Sequence, residues 1–190
     1  LYGTMLTIVD LDNDNLPEIV ATSPTDAQAS KIYKNTNITP GVPSFTELDP
    51  GFNITSGTKS VYLDVNGDDY QDILVTGLRT GTNGSALAND AGYITLLTNN
   101  QDLTFTVSDF TDVPSSYGLL GAGDFDGDQI DDFAFKNASY AAWYKGDGAG
   151  GFTKFNNSHF STTDYPSTSV TLAVGDLTGD GKPEILSGLG

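Results

Sequence analysis

The chain has 190 residues, 37% of them hydrophobic, enough to build the core of one domain or a piece of one. Against 25 Asp and Glu stand only 8 Lys and Arg, and the net charge of -17 opposes approach to a phosphate backbone, so nucleic acid is excluded as a partner. Cysteine is absent, which excludes a disulfide framework, a thiolate nucleophile and Cys-ligated zinc.

Along the chain, one arrangement recurs. The first unit, residues 1–55, offers strands at Met5–Val9 and Ile19–Ala21, joined by the acidic string Asp10-Leu-Asp-Asn-Asp-Asn-Leu-Pro-Glu18, and then strands at Lys31–Lys34 and Ser44–Leu48. The second, residues 56–112, places Asp64-Val-Asn-Gly-Asp-Asp-Tyr-Gln-Asp72 between Val61–Leu63 and Ile73–Val75, followed by Tyr93–Leu97 and Thr104–Val107. In the third, residues 113–165, Asp124-Phe-Asp-Gly-Asp-Gln-Ile-Asp-Asp132 joins Leu119–Ala122 to Phe133–Phe135, with Ala142–Lys145 and Gly151–Phe155 beyond. The fourth, residues 166–190, is incomplete: Val170–Val174, Asp176-Leu-Thr-Gly-Asp-Gly-Lys-Pro-Glu184 and Ile185–Leu186.

Nothing in the chain holds a helical apolar period over ten residues, so the fold class is all-β. Four-stranded units repeating at this spacing fit the blades of a β-propeller, each sheet burying its faces against its neighbours. About 3.5 blades are present, too few to close a ring, so the remaining blades or further copies of the chain are the expected partners.

The acidic strings have the spacing of a cation loop. Calcium takes six to eight oxygens, and a tightly curled loop supplies them from alternate positions. Counting from the first Asp, places one, three, five and nine carry an acid, amide or hydroxyl in every copy: Asp10, Asp12, Asp14, Glu18; Asp64, Asn66, Asp68, Asp72; Asp124, Asp126, Asp128, Asp132; Asp176, Thr178, Asp180, Glu184. Place seven varies freely as Leu16, Tyr70, Ile130 and Lys182, as expected where only a backbone carbonyl is a ligand. Place four is Asn13, Gly67, Gly127 and Gly179, residues that tolerate a left-handed backbone.

An EF-hand would need Glu at place twelve, where Ala21, Val75, Phe135 and Ser187 stand, so that motif is excluded. Magnesium, which keeps its waters, fits less well than calcium. The plainer reading is a set of hairpin turns, yet turn chemistry alone is not expected to call for acids at places one and nine. Without a cation each site would crowd its carboxylates together. Up to four calcium ions are expected, the fourth bound more loosely because Thr178 replaces a carboxylate.

At these residues the chain resembles the FG-GAP/VCBS repeat family, the blades of integrin α-subunit-like propellers. The segments Leu120-Gly-Ala-Gly-Asp-Phe-Asp-Gly-Asp and Ala173-Val-Gly-Asp-Leu-Thr-Gly-Asp-Gly-Lys-Pro-Glu carry the resemblance, and Gly146-Asp-Gly-Ala-Gly-Gly-Phe is similar to the family's later turn. The resemblance implies an extracellular or cell-surface, seven-bladed propeller used for adhesion, ligand recognition or structural display, of which 3.5 blades are half. It also implies that calcium rigidifies the blades rather than doing chemistry.

No apolar run reaches the roughly 18 residues that span a bilayer. The N-terminus, Leu1-Tyr2-Gly3-Thr4, has neither an initiator Met nor a signal-peptide pattern, as expected of a processed or excised chain. Asn-x-Ser/Thr acceptor sites stand at Asn37, Asn53, Asn83, Asn137 and Asn156 and mildly favour a secreted glycoprotein.

Residues for catalysis are few. His159 is the sole histidine, in a polar setting typical of a surface residue. Asp26, Glu47, Asp90, Asp109 and Asp112 lie outside the metal loops, and no spacing pairs two of them as glycosidase carboxylates. The chain therefore reads as non-catalytic, with a polysaccharide-active enzyme completed elsewhere, or a repeating subunit of an extracellular fibre, as alternatives. Tyr33, Phe45, Tyr93, Phe105, Trp143, Tyr144 and Phe152 have strand placement that favours blade packing over sugar stacking. Of these, Trp143 or Tyr144 is the expected exposed platform for a glycan, because adjacent strand residues point to opposite faces.

Overall fold

A computed structural model describes residues 5–22, 30–37, 39, 41–51, 54–79, 94–113, 118–137, 140–155 and 171–188. Three four-stranded antiparallel sheets follow one another in the chain, and a two-stranded sheet follows them. Sheet 1 is β1 (Met5–Val9), β2 (Glu18–Thr22), β3 (Lys31–Asn35) and β4 (Phe45–Leu48). Sheet 2 is β5 (Ile54–Leu63), β6 (Asp72–Arg79), β7 (Ile94–Asn99) and β8 (Phe105–Phe110). Sheet 3 is β9 (Leu119–Gly123), β10 (Asp132–Lys136), β11 (Ala141–Gly146) and β12 (Phe152–Phe155), and sheet 4 is β13 (Thr171–Gly175) with β14 (Glu184–Gly188). No helix occurs among the described residues.

Each sheet is a meander with strands in sequence order, so each acidic string is the turn of the first hairpin. The register repeats: Ile8 faces Ile19, Tyr62 faces Ile73, Ala122 faces Phe133 and Val174 faces Ile185. The strands extend past the apolar runs seen in the sequence. Every second strand starts on the place-nine acid itself, and β5 reaches back to Ile54 through a register shift between Thr55 and Lys59.

Burial explains the composition of the strands. Ile73, Leu74 and Val75 are consecutive and all buried, as are Phe133, Ala134 and Phe135, so both faces of β6 and β10 are covered. The outermost strand β12 alternates between part-buried and exposed residues. One core joins sheets 2 and 3: Leu63, Leu74 and Leu96 meet Phe133, Phe135 and Tyr144. A second joins sheets 1 and 2 through Leu11, Val20 and Ile32 against Leu103, Tyr62 and Phe105. Sheet 4 closes on sheet 3 at Gly121, where an added Cβ would stand 2.4 Å from Val174 Cγ2. Each sheet thus packs its face on the next, which is the propeller arrangement, and the described sheets form an arc rather than a closed ring.

Trp143 and Tyr144 do point to opposite faces, but neither is exposed. Tyr144 is fully buried, stacked on Phe133 at 4.6 Å with Phe110 edge-on, and its hydroxyl donates to the Asp112 carbonyl at 2.6 Å. Trp143 is buried between Phe155 and Phe125. The expected glycan platform at these two residues is therefore corrected: β11 lies inside the sheet and a neighbour covers each of its faces. Phe105 and Phe152 pack into the cores, as blade packing predicts. Tyr93, with Asp26, Asp90, Asn53, Asn83, Asn156 and His159, lies outside the described residues.

Candidate metal centres

Loops 1 to 4, residues 10–18, 64–72, 124–132 and 176–184, share one backbone curl. Place four has φ of 57° at Asn13, 73° at Gly67, 81° at Gly127 and 77° at Gly179. Place six is left-handed as well: 67° at Asn15, 67° at Asp69, 70° at Gln129 and 88° at Gly181. Two left-handed residues separated by one other turn successive amides inward, a concave arrangement suited to oxygen acceptors.

The place-one acid fills that concavity. Its carboxylate accepts the place-six amide in all four loops, at 2.9 Å for Asp10, 2.8 Å for Asp64, 2.8 Å for Asp124 and 2.9 Å for Asp176. In loops 2, 3 and 4 it also accepts the place-four amide, at 2.8, 2.6 and 2.6 Å. The place-five acids Asp14, Asp68, Asp128 and Asp180 each accept the amide of place seven.

The place-nine acid works at the base. Glu18, Asp72 and Asp132 are fully buried, and one carboxylate oxygen accepts the place-two amide: Leu11 at 2.9 Å, Val65 at 2.8 Å and Phe125 at 3.0 Å. The other oxygen accepts an amide at the end of the third strand: Asn35 at 3.4 Å, Asn99 at 2.7 Å and Gly146 at 2.9 Å. Glu184 accepts Leu177 N at 2.7 Å in the same way. Burial raises the Glu18 carboxyl and pushes Asp72 and Asp132 up to about 6 against the pull of these amides.

These bonds correct one expectation: the turn itself does employ acids at places one and nine. The physical reason is that a left-handed curl leaves inward-facing amides that only charged or polar oxygens can satisfy. Place three owes least to the backbone, and there the loops differ: Asp12, Asn66, Asp126 and Thr178.

Acids converge enough to hold an ion in three loops. Asp10, Asp12 and Glu18; Asp124, Asp126 and Asp132; and Asp176, Asp180 and Glu184 each bring one oxygen to within 4.8 Å of the others. Loop 2 forms no such three-acid group among the described residues; Asn66 stands at place three, and its amide and that of Gln101 donate to Asp68 at 3.1 Å. In loop 1, Asp10 Oδ1 and Asp12 Oδ1 are buried without a hydrogen-bond partner. Buried orphan carboxylate oxygens beside a third carboxylate suit a hard divalent cation, so the residues present fit calcium. An oxygen that accepts one amide retains a lone pair for an ion, so the backbone bonds do not compete. Ligation by the carbonyls of Leu16, Tyr70, Ile130 and Lys182 remains an expectation of the spacing.

Sequence reasoning did not find the groups that link the loops. Asn13 Nδ2 donates to the Asp69 carbonyl at 2.9 Å, Asn99 Nδ2 to the Leu11 carbonyl at 2.7 Å, Asp64 N to Asp131 Oδ2 at 3.0 Å and Lys182 Nζ to the Asp126 carbonyl at 2.7 Å. The four loops therefore form one continuous acidic arc across successive sheets. It also did not find the lysines: Lys34 Nζ rests on Asp12 and Asp14, and Lys145 Nζ on Asp126 and Asp128. Outside the arc, Glu47 pairs with Lys31 at 3.2 Å, and Asn37 Oδ1 accepts the Thr39 amide at 2.9 Å.

The fold and loops define a segment of an all-β propeller with acidic hairpins along one edge. Residues 124–187 match the family model described as the FG-GAP-like repeat, so the chain carries an FG-GAP-like repeat from loop 3 to β14. Among solved structures the chain is similar to an Agrocybe aegerita lectin described by its specific recognition of non-reducing terminal N-acetylglucosamine. The TM-score is 0.62 at 17% identity, over 96% of this chain and 45% of that one, a likeness of fold. The chain thus spans less than half the length of that lectin chain. No curated protein matches the chain in sequence.

Proposed function

We propose that the chain is a calcium-stabilised, non-catalytic recognition module of an extracellular propeller, with a glycan as the preferred ligand class. The observation that carries the metal reading is the convergence of three acids in loops 1, 3 and 4 together with the orphan oxygens of Asp10 and Asp12. In this reading calcium joins the start of each first hairpin to the base of its second strand, so the ion holds the loop arc rigid for binding. The glycan preference draws support from the similarity to a lectin. Of the described acids outside the loops, Glu47 pairs with Lys31 and Asp112 is exposed.

The proposed structural partner is a further sheet of the same kind on each end of the arc. Leu6 (67% exposed), Ile8 (70%) and Phe45 (41%) lie on the face of sheet 1 whose counterparts in sheet 2, Tyr62 and Phe105, pack against the preceding sheet. At the other end Leu177 is 65% exposed, whereas its place-two counterparts Leu11 and Val65 are buried by the following sheet. Further blades, of the same protein or of another copy, would bury both faces.

The test is a glycan array probed with the purified protein in calcium and in chelator, with terminal N-acetylglucosamine among the ligands. Calcium-dependent binding to a defined set of glycans supports the reading; turnover of a polysaccharide by the same protein would replace it with the enzymatic one.

A further inference from the structure

Only eight Lys and Arg occur in the chain, yet two of them occupy the same structural position on two acidic loops. Lys34 and Lys145 each precede the residue whose amide binds the place-nine acid, Asn35 in β3 and Gly146 in β11. Each ammonium reaches the acids at places three and five of its own loop: Asp12 and Asp14 at 3.1 Å for the latter, Asp126 and Asp128 at 2.5 Å for the latter. In sheet 2 the same position, before Asn99 in β7, is Thr98. There the charge at place three is missing too, since it is Asn66. Lysine and the place-three carboxylate are thus present together in loops 1 and 3 and absent together in loop 2. Places one, three, five and nine, counted with the lysine, therefore carry the same net charge in all three loops.

We infer that Lys34 and Lys145 are tethered counter-cations, which neutralise places three and five of loops 1 and 3 in the metal-free chain and which an entering divalent ion must displace. Lysine suits this role because its ammonium is a point charge on a flexible stem, and with 28% and 36% of the two side chains exposed it can swing out to water when an ion arrives. The consequence is that loops 1 and 3 keep their curl without metal at the cost of weaker metal affinity, while loop 2 depends on Asn66 and Gln101 instead. The displacement half of this inference rests on the calcium reading above; the counter-ion half does not.

The experiment uses the whole chain with Lys145→Thr, Asp126→Asn and the double variant, which gives loop 3 the pair that loop 2 has. In chelator, Lys145→Thr is expected to lower the melting midpoint by about 2–4 °C and the double variant to recover it. In calorimetric titration with calcium, Lys145→Thr is expected to tighten binding at one site on the order of tenfold. An unchanged melt in chelator, or no recovery in the double variant, overturns the counter-ion role. Calcium bound with equal or lower affinity by Lys145→Thr overturns displacement alone, and calcium bound by neither protein overturns the calcium reading itself.

Discussion

Replacing Asp132 by alanine separates the two roles of the place-nine acid. Its side chain is fully buried and accepts Phe125 N at 3.0 Å and Gly146 N at 2.9 Å, tying loop 3 and the end of β11 to the start of β10. Alanine leaves one buried and one part-buried amide without acceptors, at about 1–3 kcal/mol each. Set against that is relief from burying a charge. The folded carboxyl titrates at about 6, above its ordinary value of 3.8, so at pH 5 it is mostly protonated and no charge is relieved on its removal. The substitution should therefore cost about 2–5 kcal/mol at pH 5 in chelator, and less by on the order of 1 kcal/mol at pH 7.5. Urea unfolding with excess chelator at both pH values measures this, an unchanged m-value confirming that only stability has moved. A cost below about 1 kcal/mol at pH 5, with destabilisation only when calcium is present, would mean that the acid serves the ion and not the backbone.

Wild-type protein in chelator should lose stability as pH rises from about 4 through about 6, because burial raises the folded carboxyls of Asp72 and Asp132 to about 6 and the folded state then binds more protons than the unfolded one; chemical unfolding across that range reads the slope. Gly121→Ala should destabilise by about 1–3 kcal/mol, since the added Cβ meets Val174 Cγ2 at 2.4 Å and forces sheet 4 away from sheet 3; urea unfolding measures the loss. Gln129→Gly should stabilise loop 3 by about 1 kcal/mol, because φ of 70° strains a residue with a Cβ; a lower melting midpoint would count against that.

Much of the fold was legible because the blade register is written in short apolar runs on either side of a fixed acidic string. The all-β class, the first hairpin of every sheet and the left-handed place four follow from Gly, Asn and the Val, Ile, Leu and Phe pairs. Place six was hidden because Asn15, Asp69, Gln129 and Gly181 share no residue type; the backbone demands the conformation, and side chains of different kinds endure it. The inward role of places one and nine was hidden because a carboxylate that serves amides and one that serves an ion look alike in sequence. Lys34 and Lys145 escaped notice for a different reason: they approach from the third strand, about twenty residues downstream of Asp12 and Asp126, and only the sheet brings them back. Trp143 and Tyr144 are adjacent in a strand and so point to opposite faces, but both are buried, and adjacency alone does not reveal that.

The central claim is that these loops bind calcium, and a thermal melt in calcium, in magnesium and in excess chelator, together with metal stoichiometry, tests it most directly. Ligand bound by the folded state alone must raise the midpoint by mass action. The account predicts a rise specific to calcium with about three to four ions per chain, loops 1, 3 and 4 providing the three-acid clusters. Identical midpoints in calcium and chelator, with no bound metal, would contradict it and leave the acidic strings as turns whose carboxylates serve only the backbone.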